Sequence, residues 1–171
     1  MQLDGYHGTE ISNIEIIQKN GYKISSDNEW LGSGIYFFES LNNFCDGFLE
    51  AKNWAFYVKK YKNWAVFKVK IKSNKFIDLV TNIKHREIYD KIRESAIKKH
   101  IQSGFNKKDF KENSIYVTMS ELDIDFIRVL VDAQKDYGYY SYTVRRPQIQ
   151  ICVKKTDIII ENKLYNSSME V

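Results

Sequence analysis

WLGSGIYFFE, residues 30–39, joins a turn with two glycines to a short run of aromatic and β-branched residues. The glycines favour a turn, and the composition of Ile35–Glu39 predicts a short strand after it. A dinucleotide-binding GxGxxG fingerprint is excluded, because the third glycine is missing and the residues after Gly34 favour a strand over a helix. The stretch therefore indicates a strand that starts from a tight turn.

Two helices are predicted on either side of this strand. On the N-terminal side, Ser12 and Glu15 have the spacing of a capping box, and Gly21 is placed to end a helix over Ser12–Asn20. On the C-terminal side, apolar residues recur at helical spacing and predict a helix near Phe48–Lys60. These include Ala51, Trp54, Ala55 and Val58.

The rest of the chain reads as strands and one long charged helix. The helix is expected to start at a Thr81 cap and to end near Ser103, before Gly104. Strands are predicted over five further ranges, Trp64–Lys72, Lys75–Leu79, Phe126–Asp132, Gln148–Lys154 and Asp157–Glu161. Because strands and helices do not alternate regularly, the predicted fold class is α+β and not a doubly wound sheet.

Composition sets the limits on domain number and location. The chain has 171 residues, of which 43% are hydrophobic, so we expect a single domain over residues 1–165 with a loose tail at 166–171. Without an 18-residue apolar run or a secretory signal, we expect no membrane partner. Cys45 and Cys152 lack CxxC spacing, which favours a reduced protein in the cytoplasm.

Several kinds of site are excluded by motif. There is no GxxxxGK[ST] phosphate loop and no GxSxG nucleophile elbow. The three histidines, His7, His85 and His100, lack the spacing of metal ligands, so no metal is expected. A net charge of +4 permits a nucleic-acid partner without requiring one.

Four short motifs remain, and their order is informative. They are HGT at His7–Thr9, WLGSGIYFF at Trp30–Phe38, AxxWA at Ala51–Ala55 and QIQICV at Gln148–Val153. In this order the chain resembles the ADP-ribosyltransferases of the poly(ADP-ribose) polymerase-like, diphtheria-toxin-like class, especially small bacterial members. The resemblance implies an ADP-ribosyltransferase-like fold of split antiparallel β-sheets with flanking helices. It also implies NAD as co-substrate.

The resemblance assigns an NAD pocket to the first motifs. The backbone of Gly8, without a Cβ, would hold the nicotinamide amide at close range, in the HGT motif that ends at Thr9. His7 would bind a ribose hydroxyl, and the rings of Tyr36 and Trp54 would sandwich the nicotinamide. The alternatives are ordinary core packing for Trp54 and a structural strand-end histidine for His7.

The third catalytic position departs from the family pattern. Many members place a glutamate at the head of the last core strand, whereas this chain has Gln150 there and Gln148 on the same strand face. With His7 and Tyr36, Gln150 completes the predicted catalytic set. An amide oxygen can accept a hydrogen bond from the ribose 2′-OH, but it has no charge and cannot take a proton. Chain elongation is therefore not expected.

The segment before Gln148 is the predicted acceptor-binding region. Tyrosines and arginines there suit stacking on bases and pairing with phosphates, and they equally suit a protein-binding loop. A β-hairpin with cross-strand tyrosine pairs is the third interpretation. The candidate acceptor-binding residues are Tyr139, Tyr140, Tyr142, Arg145, Arg146 and Gln148.

These expectations combine into one functional hypothesis with alternatives. The chain is expected to be a mono-ADP-ribosyltransferase that modifies a macromolecular acceptor, either RNA or DNA or a protein. The resemblance also suggests a toxin or phage-defence effector that is restrained by a neutralising antitoxin protein. The alternatives are an inactive module of the same fold that binds NAD or nucleic acid, and an NAD glycohydrolase with water as acceptor.

Overall fold

The computed structural model describes residues 1–26, 28–42, 44–120, 122–132 and 147–168. Seven strands form one sheet. In chain order they are β1 (Gln2–Glu10), β2 (Ile35–Glu39), β3 (Trp64–Lys72), β4 (Phe76–Asp78), β5 (Phe126–Asp132), β6 (Pro147–Val153) and β7 (Ile159–Ser167). Together with four helices they make a mixed α+β architecture.

The spatial order of the strands is β4-β5-β6-β2-β1-β3-β7. All neighbours run antiparallel except β4 and β5, which pair in parallel. The sheet is therefore continuous and not purely antiparallel, which corrects the expectation of separate antiparallel sheets. Its thinnest junction is between β1 and β2, which share only Gly5↔Glu39 and Tyr6↔Phe38. In contrast, β1 pairs with β3 along its whole length, from Gln2 to Glu10.

The two faces of the sheet carry different cores. One face has a single cluster of buried residues, Ile35, Phe37, Val69, Ile71, Phe126, Ile151, Val153 and Ile158. The other face has two clusters. The first includes Leu31, Ile115, Met119, Ile127, Val129 and Cys152, and the second includes Tyr6, Phe38, Ala51, Ala55, Trp64 and Val66. Tyr36 packs against the first of these two clusters and Trp54 against the second.

The four helices are α1 (Ile14–Asn20), α2 (Gly47–Asn53), α3 (Ile83–Gln102) and α4 (Asn113–Ser120). A π-helical turn, Trp54–Val58, continues α2, so the helix predicted near Phe48–Lys60 is found with a change of winding. The Asp46 carboxylate caps the start of α2 by accepting from the Leu49 N–H. The backbone of Lys60 has a positive φ of 59° just after the turn, which helps to end the helical segment.

The helix starts differ from the predicted ones in detail. The predicted capping box at Ser12 does not form, because Ile11–Asn13 is a 3₁₀ turn and the Ser12 hydroxyl donates to the Glu10 carboxylate. The cap of α3 is Asn82, one residue after the predicted Thr81. Strand β7 continues through Ser167, past the point where the loose tail was expected to begin.

Buried ion pairs connect side chains from three strands, β2, β4 and β5. The Arg128 guanidinium on β5 donates to both oxygens of Glu39 and to Asp78, at 2.5, 3.0 and 3.0 Å. The side chains of all three residues are less than a tenth exposed. Burial opposes ionisation of Asp78, but hydrogen bonds from Thr81 and Val80 and the charge of Arg128 outweigh it and lower the pKa of that carboxyl.

Two further features bear on the predicted location. In the portion that the structure describes, none of the helices has the length and apolarity needed to cross a membrane. Cys45 and Cys152 are both free thiols, and Cys152 is fully buried.

Candidate functional site

A cleft of about 680 Å³ opens where β1 and β2 separate. Its lining includes Tyr36, which packs against the first of the two clusters, and Trp54, which packs against the second. Seven of the predicted site residues line it, namely His7, Gly8, Thr9, Tyr36, Trp54, Gln148 and Gln150. Residues from four separate motifs therefore meet in one cavity, whose volume is typical of a small-molecule site.

The His7 side chain lies where β1 and β2 stop pairing. If the β1–β2 register continued past Tyr6↔Phe38, Gly8 would lie opposite Tyr36. Instead, the Nδ1 atom of His7 lies 2.9 Å from the Tyr36 carbonyl oxygen. A carbonyl oxygen can only accept, so Nδ1 carries the proton. The imidazole thus hydrogen-bonds the Tyr36 carbonyl oxygen, which a backbone N–H of β1 would have bonded if the two strands had continued to pair.

This hydrogen bond determines which ring nitrogen of His7 is left without a proton to accept a hydrogen bond from a ligand. Burial lowers the pKa of His7 below its ordinary value of 6.5, and the hydrogen bond to the Tyr36 carbonyl offsets this only in part. The ring is therefore neutral at pH 7, with Nδ1 protonated and Nε2 bare. A bare ring nitrogen accepts a hydrogen bond from a hydroxyl group, as the predicted contact with a ribose requires.

Helix packing requires a glycine at position 8, independently of any ligand. A Cβ built on Gly8 would lie 2.0 Å from the Ala51 carbonyl oxygen and 3.1 Å from the Ala55 Cβ. Helix α2 therefore approaches β1 so closely that no side chain fits between them. Beside it, the hydroxyl of Thr9 accepts from the Asn13 side-chain amide at 2.9 Å, which links the HGT motif to the start of α1.

The Tyr36 hydroxyl is committed to the turn that precedes its own strand. It donates to the Gly32 carbonyl at 2.8 Å and accepts from the Leu31 N–H at 3.0 Å. Burial raises the pKa of the phenol above its ordinary value of 10.0, so the hydroxyl stays protonated at neutral pH. Of the three residues predicted to be catalytic, Tyr36 offers the cleft an aromatic ring and not a base.

Lys154, the residue after the end of β6, clamps the same turn. The Lys154 ammonium donates to the carbonyl oxygens of Leu31 and Ser33, at 2.6 and 2.7 Å. Gly34 passes so close to β6 that a Cβ there would meet the Cys152 sulfur at 2.4 Å. The turn in WLGSGIYFFE is thus fixed from two sides, and it places Trp30 at the rim of the cleft.

Trp54 also lines the cleft, and a lysine ammonium lies over its indole ring. Its indole is half-buried at the start of the π-helical turn, and the Lys59 ammonium lies 4.9 Å from the ring centroid. Such a contact is a cation–π interaction. Single π-helical turns are rare and are enriched at functional sites, and this one places three residues on the cleft, Trp54, Val58 and Lys59.

The floor of the cleft holds a chain of directed hydrogen bonds. The Trp30 indole N–H donates to the Gln150 amide oxygen at 3.2 Å. The Gln150 amide nitrogen donates to the Gln148 oxygen at 3.4 Å, and the Gln148 amide nitrogen donates to the Glu50 carboxylate. Gln150 and Gln148 therefore do share a strand face, as predicted, and both line the cleft.

Several site residues were not predicted from the sequence. Trp30 stands inside a quoted motif, but only the fold brings it onto Gln150. Glu50 is buried, with 3% of its surface exposed, and it precedes Trp54 by one helical turn, a spacing that places two residues on one helix face. The charged groups on the cleft wall, Lys23, Glu29 and Lys59, were also missed, because loops and helix ends give no periodic signal.

Five of the predicted acceptor-binding residues lie outside the described residues, namely Tyr139, Tyr140, Tyr142, Arg145 and Arg146. Gln148, the sixth, lies on β6 at the cleft floor and is buried. Within the ranges that the structure describes, no group of three or more His, Cys, Asp or Glu side chains is placed to hold a metal ion.

Comparison with known proteins adds a relative without an assigned role. No protein-family model matches the chain. The chain is 26% identical over 196 residues to the uncharacterized protein MJ0359 of Methanocaldococcus jannaschii, and the match covers 94% of this chain and 86% of that protein. The similarity extends over nearly the whole chain.

Proposed function

We propose that this protein is an NAD-dependent mono-ADP-ribosyltransferase that transfers one ADP-ribose to a macromolecular acceptor and releases nicotinamide. The observation that carries the proposal is the single cleft in which His7, Tyr36, Trp54 and Gln150 meet. These residues come from motifs spread over most of the chain, in the order typical of ADP-ribosyltransferases. A volume of about 680 Å³ suits a dinucleotide-sized ligand.

The walls of the cleft match the parts of NAD. Tyr36 and Trp54 both line the cleft and offer aromatic surfaces to the flat nicotinamide ring. The bare Nε2 of His7 accepts from a ribose hydroxyl. Lys23 and Lys59 supply positive charge on the cleft wall, which favours the diphosphate of NAD.

Gln150 determines the kind of reaction. Its amide oxygen accepts one hydrogen bond from Trp30, and an amide oxygen has a second lone pair. That lone pair is available for the ribose 2′-OH, and the contact helps catalysis if it strengthens as positive charge develops on the ribose. Because an amide is no base, the acceptor must either be a ready nucleophile or be activated by another group, and transfer of a single ADP-ribose is favoured over chain elongation.

The acceptor and the biological role follow from the resemblance alone. A nucleic acid or a protein is the proposed acceptor, and a toxin or phage-defence effector that works in the cytoplasm under a neutralising partner protein is the proposed role. The absence of a carboxylate at position 150 favours a second candidate function, a module that binds NAD or nucleic acid without transfer. With water as acceptor, the same site would act as an NAD glycohydrolase.

Release of nicotinamide from NAD tests the proposal. Purified protein is incubated with NAD, with and without cell extract, and nicotinamide is quantified by chromatography. Transfer predicts release that depends on extract, together with ADP-ribose label that is lost on treatment with either nuclease or protease. Release without extract indicates hydrolysis, and bound NAD that is never cleaved indicates the binding module.

Two glutamine variants locate the chemistry within the cleft. Gln150→Leu keeps the approximate volume and removes the acceptor oxygen, so we expect nicotinamide release to fall while NAD affinity changes little. Gln148→Leu is the comparison variant on the same strand face. Loss of release in Gln148→Leu alone would place the reacting ribose at Gln148 instead.

A further inference from the structure

The hydrogen-bond chain on the cleft floor has a fixed direction, because its two ends are chemically unambiguous. At one end, the indole N–H of Trp30 can only donate. At the other end, an oxygen of the Glu50 carboxyl group accepts from the Gln148 amide nitrogen. The two amides between them, Gln150 and Gln148, can each donate and accept, so they orient to suit the ends. Every donor in the chain therefore points toward Glu50.

We propose that Glu50 is a positioning residue that sets the orientation of both cleft-floor amides and so presents the Gln150 oxygen to the substrate. This inference rests on the proposed function, in which that oxygen meets the ribose. Glu50 itself is 3% exposed and sits on α2 behind Gln148, so it acts through the amides and not on the substrate directly.

A flipped arrangement would be unfavourable at both ends. If both amides rotated, the Gln148 oxygen would face the Glu50 carboxylate, and the Gln150 NH₂ would face the Trp30 N–H. Each contact would oppose like partial charges, and the contact with Glu50 is buried, where electrostatic interactions are strong. A neutral amide at position 50 would remove this bias, because it can donate to the Gln148 oxygen as well as accept.

The substitution Glu50→Gln tests the proposal with little change of shape. The side-chain NH₂ signals of Gln148 and Gln150 are followed by ¹⁵N NMR, and they are assigned from the Gln148→Leu and Gln150→Leu variants. We expect both signals to move in Glu50→Gln, and turnover in nicotinamide release to fall about tenfold with NAD affinity within about twofold. Glu15→Gln, at an exposed glutamate of α1, is the matched control and should change neither.

A second variant keeps the test decisive if Glu50→Gln does not fold. Trp30→Phe removes the donor at the rim end, so we expect the Gln150 signal to move while the Gln148 signal, still bonded to Glu50, stays near its original position. Unmoved amide signals in Glu50→Gln, or moved signals with unchanged turnover, would overturn the inference. Failure of the wild-type protein to release nicotinamide would overturn the proposed function, and the amide signals would still decide the role of Glu50.

Discussion

Substitution of Gly8 by alanine distinguishes its role in packing α2 on β1 from its proposed role in binding NAD. The added methyl group would lie 2.0 Å from the Ala51 carbonyl oxygen and 2.8 Å from its carbon. Both are backbone atoms of α2, and so no side-chain rotation can relieve the contact. Helix α2, which carries Glu50 and leads into Trp54, must move away from β1.

The expected cost is that of an overpacked core, about 1–3 kcal/mol, with the higher values expected when backbone must shift. For a chain of this size, each kcal/mol lowers Tm by roughly 2–4 °C, so Gly8→Ala should melt about 2–12 °C below the wild type. Thermal unfolding followed by circular dichroism measures this directly. Gln2→Ala, at an exposed position of the same strand, controls for substitution in β1.

A purely ligand-dependent role for Gly8 predicts a different result. In that case Gly8→Ala would keep the wild-type Tm and lose only NAD affinity. An unchanged melting temperature in a folded Gly8→Ala protein would therefore refute the close packing of α2 on β1 and, with it, the placement of Glu50 and Trp54 beside the cleft.

Three further predictions concern the supports of the cleft. Lys154→Met leaves two carbonyl groups of the 31–33 turn without their ammonium partner. It should lower the free energy of unfolding in urea by about 1–3 kcal/mol. An unchanged urea midpoint would contradict the stabilising role of Lys154. Arg128→Met leaves the buried carboxylates of Glu39 and Asp78 without their arginine partner, and should lower the free energy of unfolding by about 3–5 kcal/mol. Arg93→Met, in an exposed ion pair, should lower it by less than about 1 kcal/mol. Equal losses in the two variants would contradict the role of the buried ion pairs. Burial lowers the pKa of His7, so the unfolded chain takes up this proton first as the pH falls, and stability is lost below about pH 6.5. An NMR titration should give His7 a pKa below 6.5, and a value above it would refute the neutral ring.

Local patterns predicted the bounds of three strands of the sheet well. Ile35–Glu39, Trp64–Lys72 and Phe126–Asp132 have the predicted bounds, because each is a compact run of β-branched and aromatic residues between breakers. The predicted helix cap at Ser12 was wrong, since its hydroxyl bonds Glu10 and a 3₁₀ turn precedes α1. Capping patterns of four residues are short, and competing local hydrogen bonds overrule them easily.

Long-range geometry could not be predicted from the sequence. The parallel pairing of β4 with β5 depends on a crossover of more than forty residues, which no local pattern encodes. The resemblance brought Gln150 and His7 to one site, but the contacts of Trp30 with Gln150 and of Gln148 with Glu50 span about a hundred residues each. Such contacts depend on how α2 and the 31–33 turn pack on the sheet, and only the folded structure gives that.

Binding of NAD to the cleft is the central claim, and the three tryptophans provide a direct test. Trp30 and Trp54 line the cleft, whereas Trp64 is 7% exposed in the core beneath α2 and does not line it. With ¹⁵N-labelled tryptophan, NAD is titrated while the three indole N–H signals are followed. The account predicts saturable shifts of the Trp30 and Trp54 signals with little change at Trp64. Signals of Trp30 and Trp54 that stay in place at millimolar NAD would contradict it.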